Sequence, residues 1–102
     1  MTRLAVKRCI PAKQFRLGWH AVQHMFEEGF SHEDLIASLL AKMTVLEEYE
    51  AENRVLLLGY FHAGGTLCPL HAVCEFSQPD HVDIITAYIP GRPHWINERQ
   101  RG

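Results

Sequence analysis

The sequence predicts an α+β fold, a helical hairpin packed on an antiparallel sheet of about four strands, and three observations predict it. Apolar residues recur at helical spacing between Trp19 and Leu40, whereas from Thr44 onward β-branched and aromatic runs alternate with turn clusters. The connections between those runs are too short for parallel crossovers. With 102 residues, 47% apolar and 22% charged, the chain is expected to form a single domain around one core that needs neither disulfides nor a metal to hold it.

Residues 1–18 form an N-terminal segment in which Leu4 to Ile10, stopped by Pro11, is expected as a short strand. Residues 19–41 are the hairpin. In its first helix, Trp19 to Glu28, the residues Trp19, Val22 and Phe26 fall at i, i+3 and i+7 with Met25 beside them, which predicts a buried stripe, and Gly29 ends the helix. Ser31 is the expected N-cap of the second helix, with Asp34 closing a capping box and Phe30 and Leu35 as a hydrophobic staple. Leu35, Ile36, Leu39 and Leu40 make its apolar face.

Residues 44–89 carry the sheet. The expected strands are Val45 to Tyr49, Arg54 to His62, Leu70 to Phe76 and Val82 to Ile89. The second contains the run Val55-Leu56-Leu57-Leu58, which suits a central strand covered on both faces. Ala63-Gly64-Gly65-Thr66 turns the chain into the third strand, and Pro69 stands at that strand's start, where a missing donor is tolerated. Residues 90–102 are a tail.

Composition excludes several function classes. Cys9, Cys68 and Cys74 are an odd count without a Cys-x-x-Cys pair, which fits neither a disulfide framework nor a four-cysteine zinc site and points to a reducing, cytoplasmic setting. No stretch has the apolar length of a signal peptide or a membrane span, so no membrane role is expected. The formal charge of −2 gives no global field toward phosphate backbones. Basic residues instead gather locally at the two ends, Arg3, Lys7, Arg8, Lys13 and Arg16 in one group and Arg92, Arg99 and Arg101 in the other, with the acids between them.

His20 and His24, four apart, are expected to share a helix face with Glu27, opposite the Trp19 stripe. The spacing suits a metal pair, but Ala21 stands where a zincin motif needs glutamate, and polar-face histidines account for the pattern without a metal or any other cofactor. His71 lies within a strand and must either point outward or find a partner inside. Tyr88 ends the last strand beside a turn, a place to face a cleft or to anchor a core hydroxyl. Arg54 stands beside an acidic stretch that can pair with it. Cys68 and Cys74 read as small apolar residues, since nothing nearby sets up a thiolate.

Taken together, these pieces resemble a family. His20-Ala21-x-x-His24-Met25-x-x-x-Gly29-Phe30-Ser31 is similar to the opening signature of an uncharacterised group of small bacterial proteins, usually His-Ala-x-x-Arg-Met-x-x-Arg-Gly-Ile-Ser. Arg54-Val55-Leu56-Leu57-Leu58-Gly59, Pro69-Leu70-His71-Ala72-Val73 and Ile84-Ile85-Thr86-Ala87-Tyr88-x-Pro90 follow in the same order, with Trp95 close behind. That group resembles the BrnT and RelE superfamily of ribonuclease toxins, often encoded beside a zinc-finger antitoxin of the YgiT or MqsA type. The resemblance implies a RelE/BrnT-like fold, an RNA substrate, an antitoxin partner and metal-independent cleavage in which the RNA's own 2′-hydroxyl attacks the adjacent phosphate. It implies His20 and His71 as acid–base residues, Tyr88 as a positioning or donating group, and Arg54 or Arg92 facing the phosphate. The chain departs from the signature at His24 and Glu28, which stand where the family usually has arginines.

Two other function classes compete with this toxin reading. A non-catalytic interaction module of the same fold would show an exposed apolar patch or a symmetric homodimer. A small metal-binding protein would have to use the scattered histidines, seven in all, of which only His20 and His24 have helical spacing.

Overall fold

The computed structural model describes residues 8–41, 43–78, 80–91 and 97–99. Its elements are β1 (Phe15–Leu17), α1 (Trp19–Glu28), α2 (His32–Leu40), β2 (Thr44–Tyr49), β3 (Arg54–Ala63), β4 (Thr66–Gln78) and β5 (His81–Tyr88), with one 3₁₀ turn at Glu50–Glu52. The fold is α+β as expected, and β2 to β5 form the antiparallel meander that the short connections dictate.

Two corrections concern the sheet. It has five strands, in the order β1-β5-β4-β3-β2, and β1 pairs parallel with β5, so the sheet is mixed. A three-residue strand carries too little alternation to register in a sequence pattern. The strand expected over Leu4 to Ile10 falls largely outside the described residues, and Arg8 and Cys9 are helical. Strand β4 is also longer than expected and runs through Pro69, which pairs with Tyr60. Pairing with β5 begins only at His71, so the missing N–H of Pro69 falls where β4 has no neighbour on that side.

A third correction concerns the helices, which are not a tight hairpin. Helix α1 lies against β5 and α2 against β3, with little contact between the two. The capping box of α2 is formed as the sequence requires: Asp34 N–H donates to Ser31 Oγ at 3.0 Å, and Ser31 N–H donates to Asp34 Oδ2 at 2.9 Å. Phe30, Leu35 and Leu39 then bury into a core shared with Val55, Leu57, Cys74, Val82 and Ile84. Burying each of these larger side chains is worth about 1.5–3 kcal/mol. Close docking of α2 depends on Gly59, where an added Cβ would lie 2.3 Å from the Ser38 carbonyl oxygen.

The fourth correction is the orientation of α1. Trp19, Val22 and Phe26 are exposed, at 68%, 37% and 85%, while Ala21 is fully buried and Met25 packs against the core. The reason lies in how the helix begins. Gly18 N–H donates to Ile84 O at 2.8 Å, and a Cβ at Gly18 would lie 2.9 Å from Ile85 O, so the chain touches the backbone of β5 just before the helix starts. Ala21, fully buried, takes the face held against the sheet, and the bulky stripe is turned outward.

Candidate active site

Strand alternation assigns each sheet residue to one of two faces. Val55, Leu57, Ala72, Cys74, Ile84 and Ala87 belong to the core face beneath the helices. The pairing register then sets three rows on the opposite face: Arg54, Glu75 and Asp83; Leu56, Val73 and Thr86; and Leu58, His71 and Tyr88. The last row brings together two residues that the sequence holds apart.

His71 is completely buried and has partners for both ring nitrogens. Its Nε2 donates to the Glu98 carbonyl oxygen at 2.7 Å, because a carbonyl can only accept. In the neutral ring Nδ1 is then the acceptor, and the Tyr88 hydroxyl lies 3.4 Å from it, with the two rings edge to face at 5.3 Å. Tyr60 donates its hydroxyl to Glu98 Oε2 at 3.4 Å, so the segment 97–99 lies over this end of the sheet. An imidazole so enclosed orients Tyr88 and is itself shielded from solvent.

Tyr88 is half-buried and meets α1 on its other side. The rings of His24 and Tyr88 are 6.3 Å apart. His24 Nδ1 donates to Glu28 Oε2 at 2.7 Å, and Glu28 Oε1 accepts the Ile89 N–H at 2.7 Å. One carboxylate thus fastens the last turn of α1 to the end of β5 and holds a histidine beside the tyrosine. Neither His24 nor Glu28 was among the residues expected to act here. The signal that could have found them is their i, i+4 spacing, which is the same as that of His20 and His24.

Two more of the expected site residues, His20 and Arg54, have partners of their own. His20 is exposed and its ring packs on Trp19, with centroids 3.8 Å apart. Arg54 shares the sheet face of His71 but stands four residues along β3 from Leu58, the partner of His71, about 13 Å away at strand rise. There its Nε donates to Glu75 Oε1 at 2.9 Å. Arg92 lies outside the described residues, as do His94 and Trp95.

Among the described residues no three histidine, cysteine or acidic side chains gather closely enough to hold a metal ion, and no helix is long and apolar enough to cross a membrane. All three cysteines are free thiols, and burial pushes the Cys74 thiol up to about 12.

A family model for a domain of unknown function, DUF4258, matches residues 18–89. The chain belongs to that family. The span of the DUF4258 match begins at Gly18 and ends at Ile89, two residues whose N–H groups make the contacts to Ile84 and Glu28 that fix α1 on β5. All of the site except Glu98 therefore falls within the DUF4258 domain. No curated protein and no solved structure matches the chain.

Proposed function

We propose that this DUF4258 domain is a RelE/BrnT-like toxin-type protein that cleaves RNA through the RNA's own 2′-hydroxyl, without a metal, and is neutralised by an antitoxin partner. The observation that carries this reading is the meeting of Tyr88 with His71 on one side and His24 on the other, three acid–base groups drawn from β5, β4 and α1. Transesterification at phosphorus needs a proton acceptor and a proton donor beside one substrate, and such a group of side chains can supply both. His71, held by the Glu98 carbonyl, serves by orienting Tyr88.

The test is cleavage of RNA by the purified protein in excess chelator, with products assayed for 2′,3′-cyclic phosphate ends. Chelator-resistant cleavage that falls about 100-fold in Tyr88→Phe is the expected result. Absence of cleavage by the folded wild-type protein would remove the reading.

One observation favours a second reading in that event. The ridge of Trp19, Val22 and Phe26 on α1 is an exposed apolar surface of the kind an interaction module presents. The domain would then be a non-catalytic binding protein, and its histidines would be structural.

A further inference from the structure

His24 and Glu28 pair within α1, and the geometry of the pair fixes the histidine beside Tyr88. A histidine that donates Nδ1–H to a carboxylate is fixed in one tautomer and one ring orientation, and in the neutral ring its Nε2 is left as the basic nitrogen. Here the carboxylate is itself fixed, because Glu28 Oε1 accepts the backbone N–H of Ile89 at the end of β5. The side chain of His24 keeps 38% exposure, whereas His71 has none, so of the two histidines beside Tyr88 only His24 can be reached by a substrate.

We propose that His24 is the general base of the site and that Glu28 is its positioning residue. The proposal rests on the RNA-cleavage reading and deepens it. His24 Nε2 takes the proton of the 2′-hydroxyl as the 2′-oxygen attacks the adjacent phosphorus. The new bond is P–O2′ and the bond broken is P–O5′. The Tyr88 hydroxyl turns its proton from His71 Nδ1 to the leaving 5′-oxygen, giving a 2′,3′-cyclic phosphate and a 5′-hydroxyl, and the proton on His24 returns to the tyrosinate through solvent. No oxidant, metal or co-reactant enters the balance. The imidazolium formed at His24 also supplies positive charge beside the developing phosphorane, the task an arginine would otherwise perform.

The experiment compares wild type, His24→Ala, His24→Gln and Glu28→Gln for chelator-resistant RNA cleavage between pH 5 and 9, with thermal melts confirming the fold of each. His24→Gln keeps an N–H for Glu28 and guards against a loss that merely reflects unfolding. Both His24 variants are expected to lose about 100-fold in rate. Glu28→Gln keeps an oxygen for Ile89 N–H but no charge. It is expected to lose about 10-fold in kcat with KM little changed, since a mispositioned base costs the transition state and not ground-state binding. A purely structural role for Glu28 would lower the melting temperature and leave kcat of the folded variant in place. If wild type cleaves RNA and a folded His24 variant retains its rate within about 3-fold, the assignment is overturned while the RNA reading stands, given the 10²–10⁴-fold effect of a true general base. If wild type does not cleave, the reading falls and the assignment falls with it.

Discussion

Cys74 and His71 are both fully buried titratable side chains, and the fold treats them differently. The imidazole is given the Glu98 carbonyl and the Tyr88 hydroxyl. The thiol sits in the core among apolar neighbours, and its pKa rises from 9.0 to about 12 through desolvation alone. Raising an acid's pKa on folding means that the unfolded chain ionises first. Cys74 therefore lowers stability as pH rises above 9, and the loss stops growing only near 12. In thiol labelling of the native protein at pH 8, half-buried Cys68 is expected to react first, with Cys9 and Cys74 protected until denaturant is added. Fast labelling of all three would contradict the packing of the core. The chemical character of these two residues was legible in the sequence, since Cys74 reads as apolar and His71 as a histidine in need of a partner. The identity of that partner was not legible, because Tyr88 reaches His71 only through the β4–β5 register, which carries a shift between Val73 and Cys74 that no local pattern encodes.

Helix α1 and helix α2 show which part of an element a sequence specifies. Both are where their periodicity and caps put them, and the capping box of α2 is made by the two residues that predict it. Periodicity defines an apolar stripe but does not say whether the stripe is buried. In α1, backbone contact at Gly18 and the burial of Ala21 outweigh the burial of Trp19 and Phe26, and Glu28 adds a bond to the Ile89 N–H. The inverted helix makes Phe26→Ser a mild change, expected within about 0.5 kcal/mol of wild type in denaturant melts, the range of an ordinary surface substitution. Gly59→Ala lies at the other extreme. Its Cβ would have to displace the Ser38 backbone, at a cost of about 3 kcal/mol or more. For a domain of this size that is a fall in Tm of roughly 12 °C or more. Reversal of the two effects would mean that α1 buries its stripe and that α2 stands away from β3.

Across the whole molecule, the sheet face away from the helices separates charge from the candidate chemistry. At one end, Arg54, Glu75, Asp83 and Arg16 occupy paired positions on β3, β4, β5 and β1, so that two adjacent carboxylates are flanked by two guanidiniums. Arg54 Nε is 2.9 Å from Glu75 Oε1 and Arg16 Nε is 3.5 Å from Asp83 Oδ1. His81 adds a bond to Asp80 at 2.9 Å. The Leu58, His71 and Tyr88 row lies two rows away, which is why an arginine recruited for charge pairing across strands is not at hand for a phosphate. The bond from Arg54, then that from Ser77, holds the Glu75 carboxyl below its usual 4.5, and the bond from His81 holds Asp80 below 3.8. A carboxyl with a lowered pKa in the fold binds its proton more readily when unfolded, so its contribution is present above the ordinary carboxylate range and disappears as pH falls through the folded value. The expected melting profile is therefore insensitive to these groups above pH 5 and declines below about 4. Arg54→Met is expected to lower Tm modestly at pH 7 and to converge on wild type as pH falls and Glu75 takes up its proton in both. A gap between the two proteins that stays constant from pH 7 to pH 3 would show that Arg54 stabilises the sheet through the packing of its side-chain stem and not through the charge of Glu75.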